Sequence, residues 1–191
     1  ADEMKRLDLK DVHAENGRVH CEGTLADIAR LNISLRCGAR VLMELGSFPA
    51  PDFEALFQGV AALPWEDYIP REGEFPVKGW SLNSTLHSVP ACQAIVKKAV
   101  ARRLGERYGL ETLPESGSRY QIQFAIVKDI ATLYLDTTGI GLHKRGYRKN
   151  SNAAPIKETL AAGIVDLARV HSDSIVCDPF CGSGTFLIEA A

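Results

Sequence analysis

The stretch SIVCDPFCGSGTFLIEAA, residues 174–191, constrains this chain more than any other. An apolar run through Ile175, Val176 and Cys177 ends on an acid at Asp178, passes a glycine-rich turn and opens a helix at Thr185. A continuous apolar run is the pattern of a strand buried on both faces of a parallel sheet. Strand, glycine turn, helix is the arrangement by which open α/β sheets hold nucleotides at their carboxyl edge. Gly182 and Gly184 lack a Cβ, so a ligand can approach the backbone. Asp178 offers a carboxylate at the strand tip, which suits a cofactor with a cationic amino group better than a pyrophosphate. A P-loop lysine is missing, and a three-glycine dinucleotide fingerprint is incomplete. A lone GxG would read as a tight connection and nothing more; the full octet from Asp178 to Thr185 favours a ligand.

Ahead of that motif, PIKETLAAGIVDLARVH repeats apolar residues at helical spacing, at Ile156, Leu160, Ile164 and Leu167. The preceding segment, residues 139–155, is of a different character, with three glycines, four basic residues and no acid. It reads as a linker between domains. Further upstream, residues 52–62 read as a helix entered through prolines, EFPVKGWS as a strand, LNSTLHSVP as a polar loop, and residues 90–108 as a helix with proline in its first turn. Two strands follow, YQIQFAIV and IATLYLDTT, joined at Lys128 and Asp129 in a tight hairpin. The order is α, β, α, β, β. At the N-terminus, ADEMKRLDL reads as the later turns of a helix and GRVHCEG as a short strand. Thr24 with Asp27 forms an acidic variant of a capping box ahead of Leu25, Ile28, Leu31 and Leu35, and ARVLMEL restores a strand pattern. Helix, strand, helix, strand predicts a small α+β unit, and both ends of the chain read as cut.

The 191 residues are 46% hydrophobic, enough to bury a core. The net charge of -2 gives no global pull toward nucleic acid, so such binding must come from local clusters. Two clusters exist. One is the linker set Lys144, Arg145, Arg148 and Lys149 with Tyr147 among them. The other is the face of the 90–108 helix bearing Lys97, Lys98, Arg102, Arg103 and Arg107 against Glu106. Basic runs are usually solvated, but glycines and an aromatic in the linker favour phosphate contact there. Five cysteines form no CxxC pair and no zinc spacing, and the five histidines have no ligand spacing, so no metal is expected. The cysteines read as reduced thiols of a cytoplasmic protein. No stretch has the length and apolarity of a membrane span or a secretion signal.

The octet Asp178-Pro179-Phe180-Cys181-Gly182-Ser183-Gly184-Thr185 resembles the first motif of class I S-adenosylmethionine-dependent methyltransferases, in the amino-methylating branch acting on nucleic acids. APIKETLAAGIV, residues 154–165, is similar to that branch's preceding helix, and the α, β, α, β, β segment with GLHKRGYRK is similar to a THUMP domain and its exit linker. The whole resembles the bacterial THUMP-containing 23S rRNA guanine-N2 methyltransferases. That resemblance implies a ferredoxin-like unit over residues 1–45, a THUMP domain over 46–138, a basic linker over 139–154, and the first part of a Rossmann-type α/β methyltransferase domain over 155–191. It implies S-adenosylmethionine held by Pro155, Lys157, Asp178, Pro179, Phe180, Cys181, Gly182, Ser183, Gly184 and Thr185. It also implies RNA contact, to 23S rRNA, through Lys78, Ser84, Thr85, His87, Lys144, Arg145, Tyr147, Arg148 and Lys149. Cys181 is then a small packed residue rather than a nucleophile. The family's catalytic motif, Asp or Asn followed by Pro-Pro and an aromatic, is expected downstream, so no catalytic residue is assigned within these residues and the fragment is expected to be inactive alone. A tRNA guanine-N2 enzyme, an adenine-N6 DNA methylase and a non-catalytic THUMP RNA-binding protein are the alternatives.

Overall fold

The computed structural model describes residues 1–15, 17–147 and 155–191. The chain divides into two compact units, one formed by residues 1–41 with 140–191, the other by residues 42–139.

The second unit is a four-stranded sheet in the order β3-β6-β5-β4, made of β3 (Leu42–Pro49), β4 (Val77–Leu82), β5 (Ile122–Val127) and β6 (Ile130–Asp136). β6 is antiparallel to both β3 and β5, whereas β4 runs parallel to β5. A parallel pair needs a long crossover, and α4 (Val89–Tyr108) supplies it. α3 (Phe53–Ala62) joins β3 to the 3-10 turn Trp65–Asp67. Its N-terminus is capped by Asp52, whose carboxylate accepts from the Ala55 amide at 2.7 Å. α4 ends on Gly109 in the left-handed conformation, φ 66. Leu56 and Val60 from α3, Val96, Val100 and Leu104 from α4, and Phe124, Ile126 and Leu133 from the sheet share one core. Gly79 is needed there because a Cβ would lie 2.4 Å from the Phe124 ring. The hairpin at Lys128 and Asp129 forms as expected, with φ of 51 and 61 at two non-glycine residues. Bonds outside the hairpin hold it: Asp129 donates its amide to Ser84 Oγ at 3.1 Å and accepts the Thr85 amide at 2.7 Å.

The first unit opens with α1 (Asp2–Arg6), the antiparallel hairpin of β1 (Lys10–Glu15) and β2 (Arg18–Glu22), and α2 (Leu25–Ser34). The Thr24 and Asp27 capping box is present in both directions, at 3.3 and 2.8 Å, and those bonds from Thr24 draw the Asp27 carboxyl below its ordinary range. Leu31, Leu35 and Val41 are buried with Met4, Leu7, Ile28 and Leu142 around them. Leu142 therefore brings the segment after the second unit back onto the N-terminal residues, and its amide donates to Ala39 O at 3.0 Å. α5 (Glu158–Ala168) and α6 (Thr185–Ala190) complete this unit.

Two expectations are corrected, and one strand is unforeseen. The helix read in residues 1–9 forms as α1, while β1 falls in a stretch left unassigned: only Val12 of its six residues is even half-buried, so the strand carries no apolar alternation to signal it. The strand expected at residues 39–45 runs from Leu42 to Pro49 and pairs with β6, so it belongs to the second unit. SIVCD forms no strand: Ile175 is 98% exposed, and among the described residues no strand lies beside it to complete a ladder. A strand buried on both faces exists only when its neighbours do.

Candidate functional site

The turn after Asp178 is built by local bonds. Asp178 Oδ1 accepts the Phe180 amide at 3.0 Å, an Asx turn that leaves Oδ2 without a hydrogen bond among the described residues. The Gly184 amide donates to Cys181 O at 2.7 Å and closes the loop, with Gly182 at φ 54 and Gly184 at φ 72. Nothing lies within 4 Å of where a Gly184 Cβ would stand, so the backbone is open to a ligand on that side. Ser183 Oγ and Thr185 Oγ1 are 3.1 Å apart, and Thr185 is buried as the first residue of α6. Pro179, Phe180, Cys181 and Gly182 are exposed, Phe180 to 94%. Pro155 and Lys157 are exposed ahead of α5, where Lys157 O accepts the Leu160 and Ala161 amides. The expected cofactor residues thus include an unsatisfied carboxylate oxygen and a backbone turn without side chains in the way, which fits a ligand with a cationic amino group. Burial pushes the thiols of Cys21, Cys37 and Cys92 up, against use as nucleophiles. Among the described residues no group of three or more His, Cys, Asp or Glu could hold a metal ion, and no helix is long and apolar enough to cross a membrane.

The expected RNA residues separate into groups. Lys78 is exposed on β4, the edge strand, and Lys144 is exposed in the segment after the second unit; among the described residues neither makes an ion pair. Ser84 donates to Leu82 O at 3.0 Å, Thr85 donates to the Asp129 carboxylate, and His87 Nδ1 lies 3.0 Å from Thr85 O. Their polar atoms shape the loop. Arg145 and Tyr147 are engaged within the protein: Arg145 Nη1 donates to Glu189 Oε2 at 2.5 Å and the Tyr147 hydroxyl to Glu189 Oε1 at 2.8 Å. Arg148 and Lys149 lie outside the described residues.

The basic face of α4 is largely compensated. Lys97 meets Glu115 at 2.5 Å and lies 3.7 Å from the Phe75 ring centroid, Arg102 bonds Glu106, and Arg103 bonds Glu66 through both Nε and Nη2. The Arg103 hydrogen bond holds the Glu66 carboxyl below the ordinary carboxylate range. A depressed folded-state pKa stabilises above the unfolded value and loses that contribution as pH falls through the folded value. Glu66→Gln should therefore lower unfolding stability by about 1 kcal/mol at neutral pH, a figure discounted for the partly exposed Arg103. In urea titrations across a pH series, the gap between wild type and variant should close below the usual carboxylate range. A gap independent of pH would remove the ion pair as its cause.

Glu189 is the residue that sequence reasoning misses. It is 3% exposed, and a lone acid in the apolar run TFLIEAA is the available signal.

Comparison with known proteins places three families along the chain: an RlmL ferredoxin-like domain over residues 1–42, a THUMP domain over 50–136, and an RMKL-like methyltransferase domain over 145–191. YpsC of Bacillus subtilis, provisionally named an RNA methyltransferase, is 46% identical over 179 residues, which are 93% of this chain and 46% of YpsC. The ribosomal RNA large subunit methyltransferase K/L of Syntrophotalea carbinolica is 34% identical across all of this chain and 28% of its own length. Among solved structures, a Listeria monocytogenes protein described as a predicted N6-adenine-specific DNA methylase superposes with a TM-score of 0.93 at 50% identity, covering 99% of this chain and 50% of that one. SMU.472, provisionally described as a methyltransferase and complexed with SAH, gives 0.91 at 45% identity with the same coverage. The chain spans about half the length of YpsC and of these two structures.

Proposed function

We propose that this chain, a member of the THUMP-containing methyltransferases with the ferredoxin-like, THUMP and methyltransferase segments in that family's order, is the RNA-holding and cofactor-loop portion of an S-adenosylmethionine-dependent RNA methyltransferase. The observation that carries this reading is the open turn from Asp178 to Thr185, which comes after a THUMP domain, its linker and α5. S-adenosylmethionine supplies an electrophilic methyl group on a sulfonium. Asp178 would accept the cofactor's cationic amino group through its free oxygen, and the backbone from Cys181 to Thr185 would lie beside it, with Pro155, Lys157, Pro179 and Phe180 at the edge. The SAH complex of SMU.472 supports this, since SAH is what S-adenosylmethionine becomes on losing its methyl group.

The acceptor in our reading is an exocyclic amine, guanine N2 of 23S rRNA; the names of the K/L relatives favour large-subunit ribosomal RNA as the substrate, and the amine follows from the resemblance of the Asp178–Thr185 octet to the amino-methylating branch. No Asp/Asn-Pro-Pro-aromatic motif occurs in these residues, so they are expected to be inactive by themselves. The cytoplasm is the compartment where that substrate resides. A DNA adenine-N6 activity is the second reading, favoured by the description of the Listeria protein; the THUMP domain weighs toward RNA. Methyl transfer by the full-length protein to a 23S rRNA fragment, a tRNA and a duplex DNA distinguishes them, and label only in DNA overturns the RNA reading.

RNA contact is assigned to Lys78 and Lys144, with Ser84, Thr85 and His87 shaping the loop that follows β4 and with Arg148 and Lys149 adding charge. Neutralising Lys78, Lys144, Arg148 and Lys149 together should weaken RNA binding. It should also flatten the salt dependence, by roughly 0.7 in log-log slope for each phosphate of single-stranded RNA that the variant no longer neutralises. Parallel lines of equal affinity would mean these cations are merely solvated.

A further inference from the structure

The Glu189 carboxylate is 3% exposed, has three side-chain partners among the described residues, and lies four residues beyond Thr185 on the helix that follows the cofactor turn. Both of its oxygens are taken: Oε2 by Arg145 at 2.5 Å and Oε1 by the Tyr147 hydroxyl at 2.8 Å. Arg36, in the segment after α2, is 3.4 Å from Oε2 and also donates to the Glu189 backbone carbonyl. The second arm of Arg145 donates to Arg36 O. Glu3 of α1 closes the network by accepting the Arg36 and Cys37 amides at 2.5 and 3.1 Å. Arg36 precedes the second unit in sequence and Arg145 follows it, so the two chain segments flanking residues 42–139 meet on one carboxylate.

Burial of an ion pair is weak ground for a stability role, because apolar residues of the same volume commonly serve as well. What a buried carboxylate with directed partners adds is a single arrangement of the segments that bind it. We propose that Glu189 is a positioning residue for methyl transfer: it latches the segments flanking the RNA-holding unit onto the helix of the cofactor turn, so that the acceptor amine is presented in register with the methyl group. This rests on the reading of the chain as part of an RNA methyltransferase. The latch acts in the ternary complex and contributes to neither binding step alone.

The test is steady-state and binding measurement on the full-length protein. Wild type without methyl transfer would overturn the functional reading itself. Given an active wild type, Glu189→Gln should lower kcat about ten- to a hundredfold, the range expected for misplaced reactants, with the dissociation constants for S-adenosylmethionine and RNA unchanged within about twofold. Arg145→Gln should give the same pattern, the double variant should be no worse than either single one, and Arg145→Lys should recover part of the loss. Three results would overturn the proposal: an unchanged kcat, a loss of cofactor affinity that accounts for the whole loss of kcat, or weakened RNA binding in Arg145→Gln with none in Glu189→Gln. Should Glu189→Gln fail to fold, Tyr147→Phe removes a single hydroxyl from the same carboxylate. It should lower kcat several-fold at constant cofactor affinity, and an unchanged kcat there overturns the proposal as well.

Discussion

Replacing Trp65 by alanine should destabilise the second unit by about 3 to 5 kcal/mol, the range for removing a large aromatic side chain from a closed core. Trp65 is fully buried beneath α4 in the 3-10 turn after α3 and packs in the same core as Leu56 and Val60. Its indole Nε1 donates to Val60 O at 2.7 Å, so alanine also removes the shorter of two bonds to that helix-end carbonyl and leaves it only the Leu63 amide at 3.2 Å. A domain of ordinary stability holds about 5 to 15 kcal/mol in total, so a large part of it would go. Trp65→Phe keeps most of the volume and loses the hydrogen bond, and should cost less than half as much. Urea titrations followed by circular dichroism check both, with equal slopes showing that stability alone has changed. A loss under about 1 kcal/mol for alanine would mean that Trp65 does not anchor this core. Because Lys78 stands on β4 of the same unit, RNA affinity of the alanine variant should fall together with its folded fraction.

Asp178→Ala in the full-length protein should weaken S-adenosylmethionine binding by roughly 1.5 to 3 kcal/mol, the worth of a hydrogen bond to a charged group, which is about ten- to a hundredfold in dissociation constant. Alanine also removes the bond from Oδ1 to the Phe180 amide that shapes the turn. Asp178→Asn separates the two effects, since its amide oxygen can still accept from Phe180 while the charge is gone. If the carboxylate binds a cationic amino group, asparagine should lose most of what alanine loses. Near-normal affinity in asparagine with a loss in alanine would reduce Asp178 to a turn residue, and unchanged affinity in both would remove it from the site. Calorimetric titration reads all three cases, and RNA affinity should stay constant throughout.

The local features of this chain are legible because their causes are local. Thr24 and Asp27 cap a helix with donor and acceptor three positions apart, and both bonds form. The long helix that includes Pro90 in its first turn and the hairpin at Lys128 and Asp129 likewise stand where patterning puts them. The run SIVCD misleads for the opposite reason. Apolarity states that a segment can be buried on both faces, but the ladder belongs to the neighbours, and among the described residues none is present. The α4 cations are legible as a basic face, yet Glu66 and Glu115 lie 37 and 18 residues away from their partners Arg103 and Lys97, a separation no periodicity reports.

By itself, then, the sequence determined the order of elements from Asp52 to Asp136, the capping box of Thr24 with Asp27, and the glycine turn with its acid, since each depends on bonds spanning a few residues. Only the tertiary structure decided which charges remain for a ligand. Arg145 and Tyr147 look like the centre of a basic linker; they are bound to Glu189, 44 and 42 residues further on, and Arg36 reaches the same carboxylate across 153 residues. A buried carboxylate attracts whichever cations the fold brings within hydrogen-bonding distance, and that proximity follows from how α1, the segment after α2 and α6 pack. Composition contains the charges but not the distances between them.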